Sequence, residues 1–261
     1  MHKATKSFFA ATLALTGMVF SAGTASASQY VAPVFFIDAG NRLSLNPDVL
    51  VDWHDLTGYH GDTETMGGVS FNSRDKSIDF DGSGGFYIAP SGFADFSNGI
   101  SIISEANFGR RVDSWERIID FGNGFEDDNI ILTRAWTTDD LIFEVWVDGN
   151  RVGRATTVNS PLKRGKNKFH TILATLNDRM VPKIYVDGAR QRLEISYSDS
   201  PKRFFSMPAV VTRTSNLIGK SHWEGIGEDQ PFEGAIRSIK IYDRALSYKH
   251  IKKMGFIQPP G

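Results

Sequence analysis

Hydrophobic and polar residues alternate with a period of two along much of the chain. Leu141, Phe143, Val145 and Val147 alternate with Ile142, Glu144 and Trp146, and Asp148-Gly149 then turns the chain. Ile184 and Val186 alternate with Lys183 and Tyr185 before a second pair, Asp187-Gly188. Successive side chains of a strand point to opposite faces, so this pattern predicts strands. Asp-Gly supplies the positive φ angles that tight hairpin turns require. Asp81-Gly82-Ser83-Gly84-Gly85 does similar work between Ser77–Phe80 and Phe86–Ala89. Further strands are expected at Ile100–Glu105, Arg117–Phe121, Asn129–Arg134, His170–Leu176, Asn216–Gly219 and Ala235–Tyr242. The one helical stretch expected is Ser247–Met254, with Ser247 as N-cap. Many short strands, Gly-rich turns and almost no helical periodicity predict an all-β, two-sheet antiparallel sandwich with a short C-terminal helical turn.

The first residues stand apart from this pattern. Lys3 and Lys6 precede an apolar run, Phe8–Phe20, and Ala25-Ser26-Ala27 supplies small residues for cleavage. That order predicts a secretory signal peptide over residues 1–27, with a run too short for a membrane span of about 20 residues. The mature chain is expected to begin at Ser28, with one domain over 28–256 and a Pro-rich tail at 257–261. Such a length buries a large core without covalent staples, so the lack of cysteine costs the fold little. Without Lys3 and Lys6 the 29 basic residues fall to 27 against 30 acidic ones, a net charge of −3. The nearest thing to a basic block, Lys163-Arg164-Gly165-Lys166-Asn167-Lys168, carries no interleaved aromatics and reads as a solvated turn. Nucleic acid is therefore not an expected partner, nor is membrane insertion of the mature chain. An exported protein, periplasmic or extracellular, is.

Six segments in order carry a resemblance. Ile37-Asp38-Ala39-Gly40-Asn41 leads to Trp53-His54-Asp55-Leu56-Thr57-Gly58, and Ile78-Asp79-Phe80-Asp81-Gly82 comes next. Then come Trp115-Glu116-Arg117-Ile118-Ile119-Asp120-Phe121-Gly122-Asn123-Gly124, the strands at Leu141–Trp146 and Lys183–Gly188, and a closing signature. The closing signature is Gly219-Lys220-Ser221-His222-Trp223, Pro231-Phe232-Glu233-Gly234-Ala235-Ile236 and Ile241-Tyr242-Asp243-Arg244-Ala245-Leu246-Ser247. Together they resemble the laminin-G-like, concanavalin A-like jelly-roll domains of bacterial secreted proteins. The resemblance implies two antiparallel sheets packed face to face, with ligands bound on the concave sheet or at loops along one edge. It implies no reaction, because one fold hosts many activities.

Tryptophans among polar residues are the first sign of a glycan site. A sugar ring stacks its C–H face on an aromatic ring, and its hydroxyls need amides, carboxylates or Arg nearby. Trp136 lies in an expected turn with Arg134, Asp139 and Asp140, and Asn123 falls on the same expected loop edge. His222-Trp223 forms a second candidate, with Glu224, Glu228 or Asp229 to take hydroxyls, although the resemblance implies that Trp223 packs its loop. Trp53, Trp115 and Trp146 fall in framework motifs and read as core or sheet-face packing.

Calcium is the ion that oxygen-rich loops of an exported sandwich suit, with a shell of about six to eight ligands. Asp38, Asn41, Asp52 and Asp55 form one candidate cluster, and Glu126-Asp127-Asp128-Asn129 another. Relatives carry an Asp after the Phe-x-Gly-x-Ile motif where this chain has Arg237, and a guanidinium cannot ligate a cation. No Glu-x-Asp-x-Glu strand, Gly-x-Ser-x-Gly elbow, zinc spacing or complete phosphate loop occurs. The expectation is an exported, non-catalytic recognition module for carbohydrate or a glycosylated surface. A structural or protein-interaction module and a divergent glycan-cleaving enzyme stay open as alternatives.

Overall fold

A computed structural model describes residues 31–45, 52–59, 63–88, 96–109, 114–163, 165, 168–179, 181–196 and 212–256. The expected signal peptide, the C-terminal tail and residues Arg164, Lys166 and Asn167 of the basic turn lie outside the described residues. From Ala32 onward the chain forms one compact unit.

The period-two pattern builds two antiparallel sheets. One sheet runs, edge to edge, Ala189–Arg190, Pro182–Val186, His170–Asn177, Gly99–Phe108, Glu233–Tyr242, Ser77–Asp81 and Val69–Asn72, with Phe35–Asp38 also pairing to Glu233–Tyr242. The other runs Leu193–Ser196, Asn150–Thr157, Leu141–Val147, Ile130–Arg134, Arg117–Gly122, Ser215–Ile218, Phe86–Ile88, Thr63–Thr65 and Asp52–Trp53. We refer to these as the eight- and nine-stranded sheets of the described residues.

Every expected strand is present, and Gly99–Phe108 is longer than its expected core. Phe35–Asp38, Asn150–Thr157 and the short strands at Asp52–Trp53, Thr63–Thr65, Val69–Asn72 and Leu193–Ser196 were not expected. Several of these mix Gly, Thr, Ser and Arg with few apolar residues, so their partners rather than their own pattern place them. The expected helix spans Tyr248–Lys253, and Ser247 caps it by accepting a hydrogen bond from His250 N.

Aromatic rings fill the space between the sheets. Phe232 packs edge-on against Phe80 and Phe108, with centroids 5.5 and 5.3 Å away, and Trp53 packs against Phe86 at 5.6 Å. Core residues on Leu141–Val147 are Leu141, Phe143 and Val145, so Ile142, Glu144 and Trp146 project from the outer face of the nine-stranded sheet.

Gly219 ends the Ser215–Ile218 strand and opens the loop that carries Trp223. Its φ is 75°, and a Cβ there would lie 2.5 Å from Phe80 Cε1. Gly219→Ala is expected to destabilise by roughly 1–3 kcal/mol through overpacking against this ring. A urea midpoint equal to that of the parent protein would contradict it.

Candidate functional site

Cross-strand register puts a row of side chains on the outer face of the nine-stranded sheet. Leu217 pairs with Asp120, Asp120 with Ile131, Ile131 with Glu144, and Glu144 with Arg154. Three tryptophans frame this row. Trp146 comes from the same strand as Glu144, Trp115 precedes the Arg117–Gly122 strand, and Trp223 comes from the loop after Ser215–Ile218. Together with Arg117, Arg154, Glu144 and Asp229 they line a pocket of about 260 Å³.

The aromatic wall is continuous. Trp223 lies 5.5 Å from Trp146 and 5.1 Å from Phe125, ring centre to ring centre. The Arg117 guanidinium sits 4.8 Å from the centre of Trp223, and that of Arg154 sits 5.4 Å from Trp115. Trp146 Nε1 and Arg154 Nε both donate to the Glu144 carboxylate, one to each oxygen. Glu144 is therefore held flat on the sheet between an indole and a guanidinium.

Trp115 has a φ of 58°, a left-handed conformation that bulky residues rarely adopt. Its neighbour Glu116 points into the protein. Glu116 is fully buried, its Oε2 lies 2.8 Å from Arg134 Nη1, and its Oε1 accepts a hydrogen bond from Glu233 N at 3.0 Å. Glu116 is thus pinned inward, while the adjacent Trp115 lines the pocket. Strain of this kind gathers at functional sites.

The Trp223 loop is fastened from below. Arg117 donates to Ser221 Oγ at 2.9 Å and to Asp229 Oδ2 at 2.5 Å, and Ser221 Oγ donates to Asp229 Oδ2 at 2.6 Å. Trp223 N donates to Ser221 Oγ at 3.0 Å. His222 N donates to Asp120 Oδ2 at 3.1 Å, while the His222 ring lies 3.1 Å from Asp120 Oδ1 and 2.8 Å from Ser215 Oγ. Burial pushes the Asp120 carboxyl up, but Arg117 and His222 outweigh it and hold Asp120 below the usual carboxylate value of 3.8. Burial raises Asp229, and Arg117 and Ser221 offset this only in part. The two carboxyls beside Arg117 are thus driven in opposite directions.

The structure separates the residues grouped in the sequence. Trp223 lines the pocket, and His222 supports it from the sheet. Trp136 is 52% exposed at a left-handed turn position and is not among the pocket-lining residues. Arg134 is not available on that edge: it is fully buried, paired with Glu116 and stacked over Phe108 at 5.0 Å. Its position as the last residue of Ile130–Arg134, in phase with core residues Ile130 and Leu132, turns it inward. Asn123 Oδ1 accepts from Thr214 N, and Asp140 accepts from Thr157 Oγ1 and Ser160 N, so both brace loops. Asp139 O accepts from Leu162 N in the same turn.

Trp115 and Trp146, read from sequence as packing residues, line the pocket instead. The signal for Trp146 was present: the core phase of its strand leaves Glu144 and Trp146 on the opposite face. No local signal marks Trp115, whose neighbour Glu116 is paired with Arg134 of the adjoining strand.

Neither calcium cluster is assembled as a cage. Among the described residues no three His, Asp or Glu side chains gather in a way that could hold a metal. Asp55 accepts from Phe36 N, Thr57 N and Thr57 Oγ1, Asp38 from Gly40 N, and Asn41 from Leu43 N. Arg237 donates to Glu105 at 2.5 Å and to Asp75 O at 2.8 Å, and stacks on Phe169 at 3.7 Å.

Comparison with solved structures shows the same sandwich. The chain resembles the Trypanosoma rangeli sialidase in complex with the inhibitor DANA, at 15% identity and a TM-score of 0.56, over 87% of this chain and 33% of that one. It also resembles the botulinum neurotoxin serotype D binding domain, at 14% identity and a TM-score of 0.60, over 85% of this chain and 51% of that one. The chain thus spans a third to a half of the length of these structures. No curated protein matches it. The model of the concanavalin A-like lectin/glucanases superfamily, in its laminin-G form, matches residues 80–252, more than half of the 261. With that match and the two antiparallel sheets, the chain belongs to the concanavalin A-like lectin/glucanase superfamily.

Proposed function

We propose that this protein is an exported recognition module that binds carbohydrate in the pocket formed by Trp115, Trp146 and Trp223. The observation that carries this reading is the joining of three half-buried tryptophans with Arg117, Arg154, Glu144 and Asp229 around one concavity. Indole faces suit the C–H face of a sugar, and the fixed guanidinium and carboxylate groups suit its hydroxyls. The hydrogen-bonded floor beneath Trp223 means that little ordering is left for binding to impose. Fold neighbours that include a sialidase with a bound inhibitor agree with a carbohydrate role at the level of the fold.

The test is a glycan array with the purified protein, followed by titration of any glycan retained. Trp223→Ala and Trp146→Ala are each expected to weaken binding at least tenfold, about 1.4 kcal/mol. Trp136→Ala, which alters an exposed ring outside the pocket, is expected to change binding less than about twofold. Retention of full affinity in both pocket variants would remove the assignment. Absence of any retained glycan would favour a protein-interaction role.

One observation favours a second reading. Glu144 and Asp229 line the same pocket, and a pair of carboxyl groups about one concavity is the minimum that glycoside cleavage requires. Incubation with bound glycans, followed by chromatography, decides it: product release that disappears in Asp229→Asn would establish an enzyme.

A further inference from the structure

The aromatic wall continues past the tryptophan pocket. Phe125 is not among the residues that line the pocket, yet its ring lies 5.1 Å from Trp223, which in turn lies 5.5 Å from Trp146. Trp223 thus joins Trp146, inside the pocket, to Phe125, outside it. Phe125 is 43% exposed, and both indoles are partly open to solvent. One exposed ring on a surface means little, but a ring continuous with two others enlarges a single apolar patch.

The loop that carries Phe125 is built to hold it there. It joins the Arg117–Gly122 and Ile130–Arg134 strands. Asn123 N donates to Asp127 O at 2.8 Å, and Asn129 Nδ2 donates to Gly124 O at 3.0 Å, closing the turn around Phe125. Glu126 O accepts from Gly149 N at 3.0 Å, which ties the loop to the turn after the Leu141–Val147 strand. Glu126 and Asp128 both take left-handed φ angles, 58° and 56°, and such conformations persist only where the surroundings fix them. The ring is therefore presented in a set position, and a ligand that stacks on it has little left to order.

The orientation of the rings defines the ligand. The plane of Trp223 is turned by 50° from that of Trp146 and by 54° from that of Phe125. A flat face of packed polysaccharide chains can lie only on coplanar rings. A single chain rotates about its glycosidic bonds, so successive sugar units can follow rings that turn. We infer that the tryptophan pocket is one end of an extended site for a single oligosaccharide chain, with Phe125 stacking a unit beyond the one held by Trp146 and Trp223. This extended site rests on the carbohydrate reading of the pocket and adds a chain-length requirement to it.

An array carrying length ladders of gluco-, manno-, galacto- and xylo-oligosaccharides, from monosaccharide to hexasaccharide, tests it, followed by calorimetric titration along the retained ladder. Affinity is expected to rise at least about tenfold from monosaccharide to trisaccharide. Phe125→Ala is expected to weaken trisaccharide binding at least about five times more than monosaccharide binding, and Phe125→Trp to keep the rise. Equal affinity along the ladder in the parent protein would overturn the extended site and leave the pocket reading intact, as would a full rise in Phe125→Ala. Retention of no ladder would remove both. Depletion by microcrystalline cellulose or chitin that the soluble ladders fail to compete would overturn the single-chain ligand. The ladder on the parent protein decides the chain-length requirement even if a variant fails to fold.

Discussion

Glu116→Ala is expected to destabilise the protein by about 3–5 kcal/mol, because it leaves the Arg134 guanidinium charged and buried without its carboxylate. Both side chains are fully buried and lie 2.8 Å apart, so solvent cannot replace the lost partner. The substitution also removes the acceptor of Glu233 N, at the start of the Glu233–Tyr242 strand of the eight-stranded sheet. For a domain of this size each kcal/mol moves Tm by about 2–4 °C, so a loss of roughly 10 °C is the expected reading in a thermal melt. A fall of under about 1 kcal/mol in denaturant titration would show that the pair is dispensable. Replacing both residues with leucine is expected to recover much of the loss, since an apolar pair of similar volume carries no desolvation penalty. Because Trp115 of the tryptophan pocket is the chain neighbour of Glu116, the single variant should also weaken ligand binding there.

Arg117→Met is expected to cost a comparable amount, about 3–5 kcal/mol at neutral pH, while keeping most of the side-chain volume. Arg117 compensates two buried carboxylates at once, Asp120 at 3.3 Å and Asp229 at 2.5 Å. Its loss distinguishes itself from a packing defect by its pH dependence. In the parent protein Asp120 is depressed, so its contribution to stability is present above 3.8 and is lost as pH falls through its folded value. Asp229 is raised, so its protonated form favours the fold and that contribution is lost as pH rises through its folded value. Removing Arg117 raises both folded-state values. The variant should therefore lie furthest below the parent at neutral pH, with the gap narrowing as pH falls toward about 4, the ordinary carboxylate range. Urea midpoints measured across that range test this, and a gap independent of pH would mean that Arg117 acts through packing alone. Loss of the cation beneath Trp223 should also loosen the aromatic wall, which Trp fluorescence would report.

Much of this molecule is dictated by local sequence. Alternation along Leu141–Val147 and Lys183–Val186, the Asp-Gly turns and the Ser247 cap each act over a few residues, so they are readable without knowledge of partners. They determine two antiparallel sheets and the side of each strand that faces the core. The order of six motifs adds the family, because their spacing belongs to the sandwich as a whole.

The candidate site was legible only in part. Trp223 is marked by its polar loop, but Trp136 carries an equal mark and lies outside the pocket. Arg134 looked like a companion of Trp136 because the two are neighbours in the chain. Strand phase instead sends Arg134 inward to Glu116, a residue outside its own strand. The row Asp120, Ile131, Glu144 and Arg154 is set by hydrogen-bond register between four strands, and no segment of the chain contains that register. Sequence alone determined the sandwich, since propensity and turn chemistry act between neighbours. Which tryptophans share a pocket was decided by tertiary structure, since cross-strand register and buried charge pairing act between residues about a hundred positions apart.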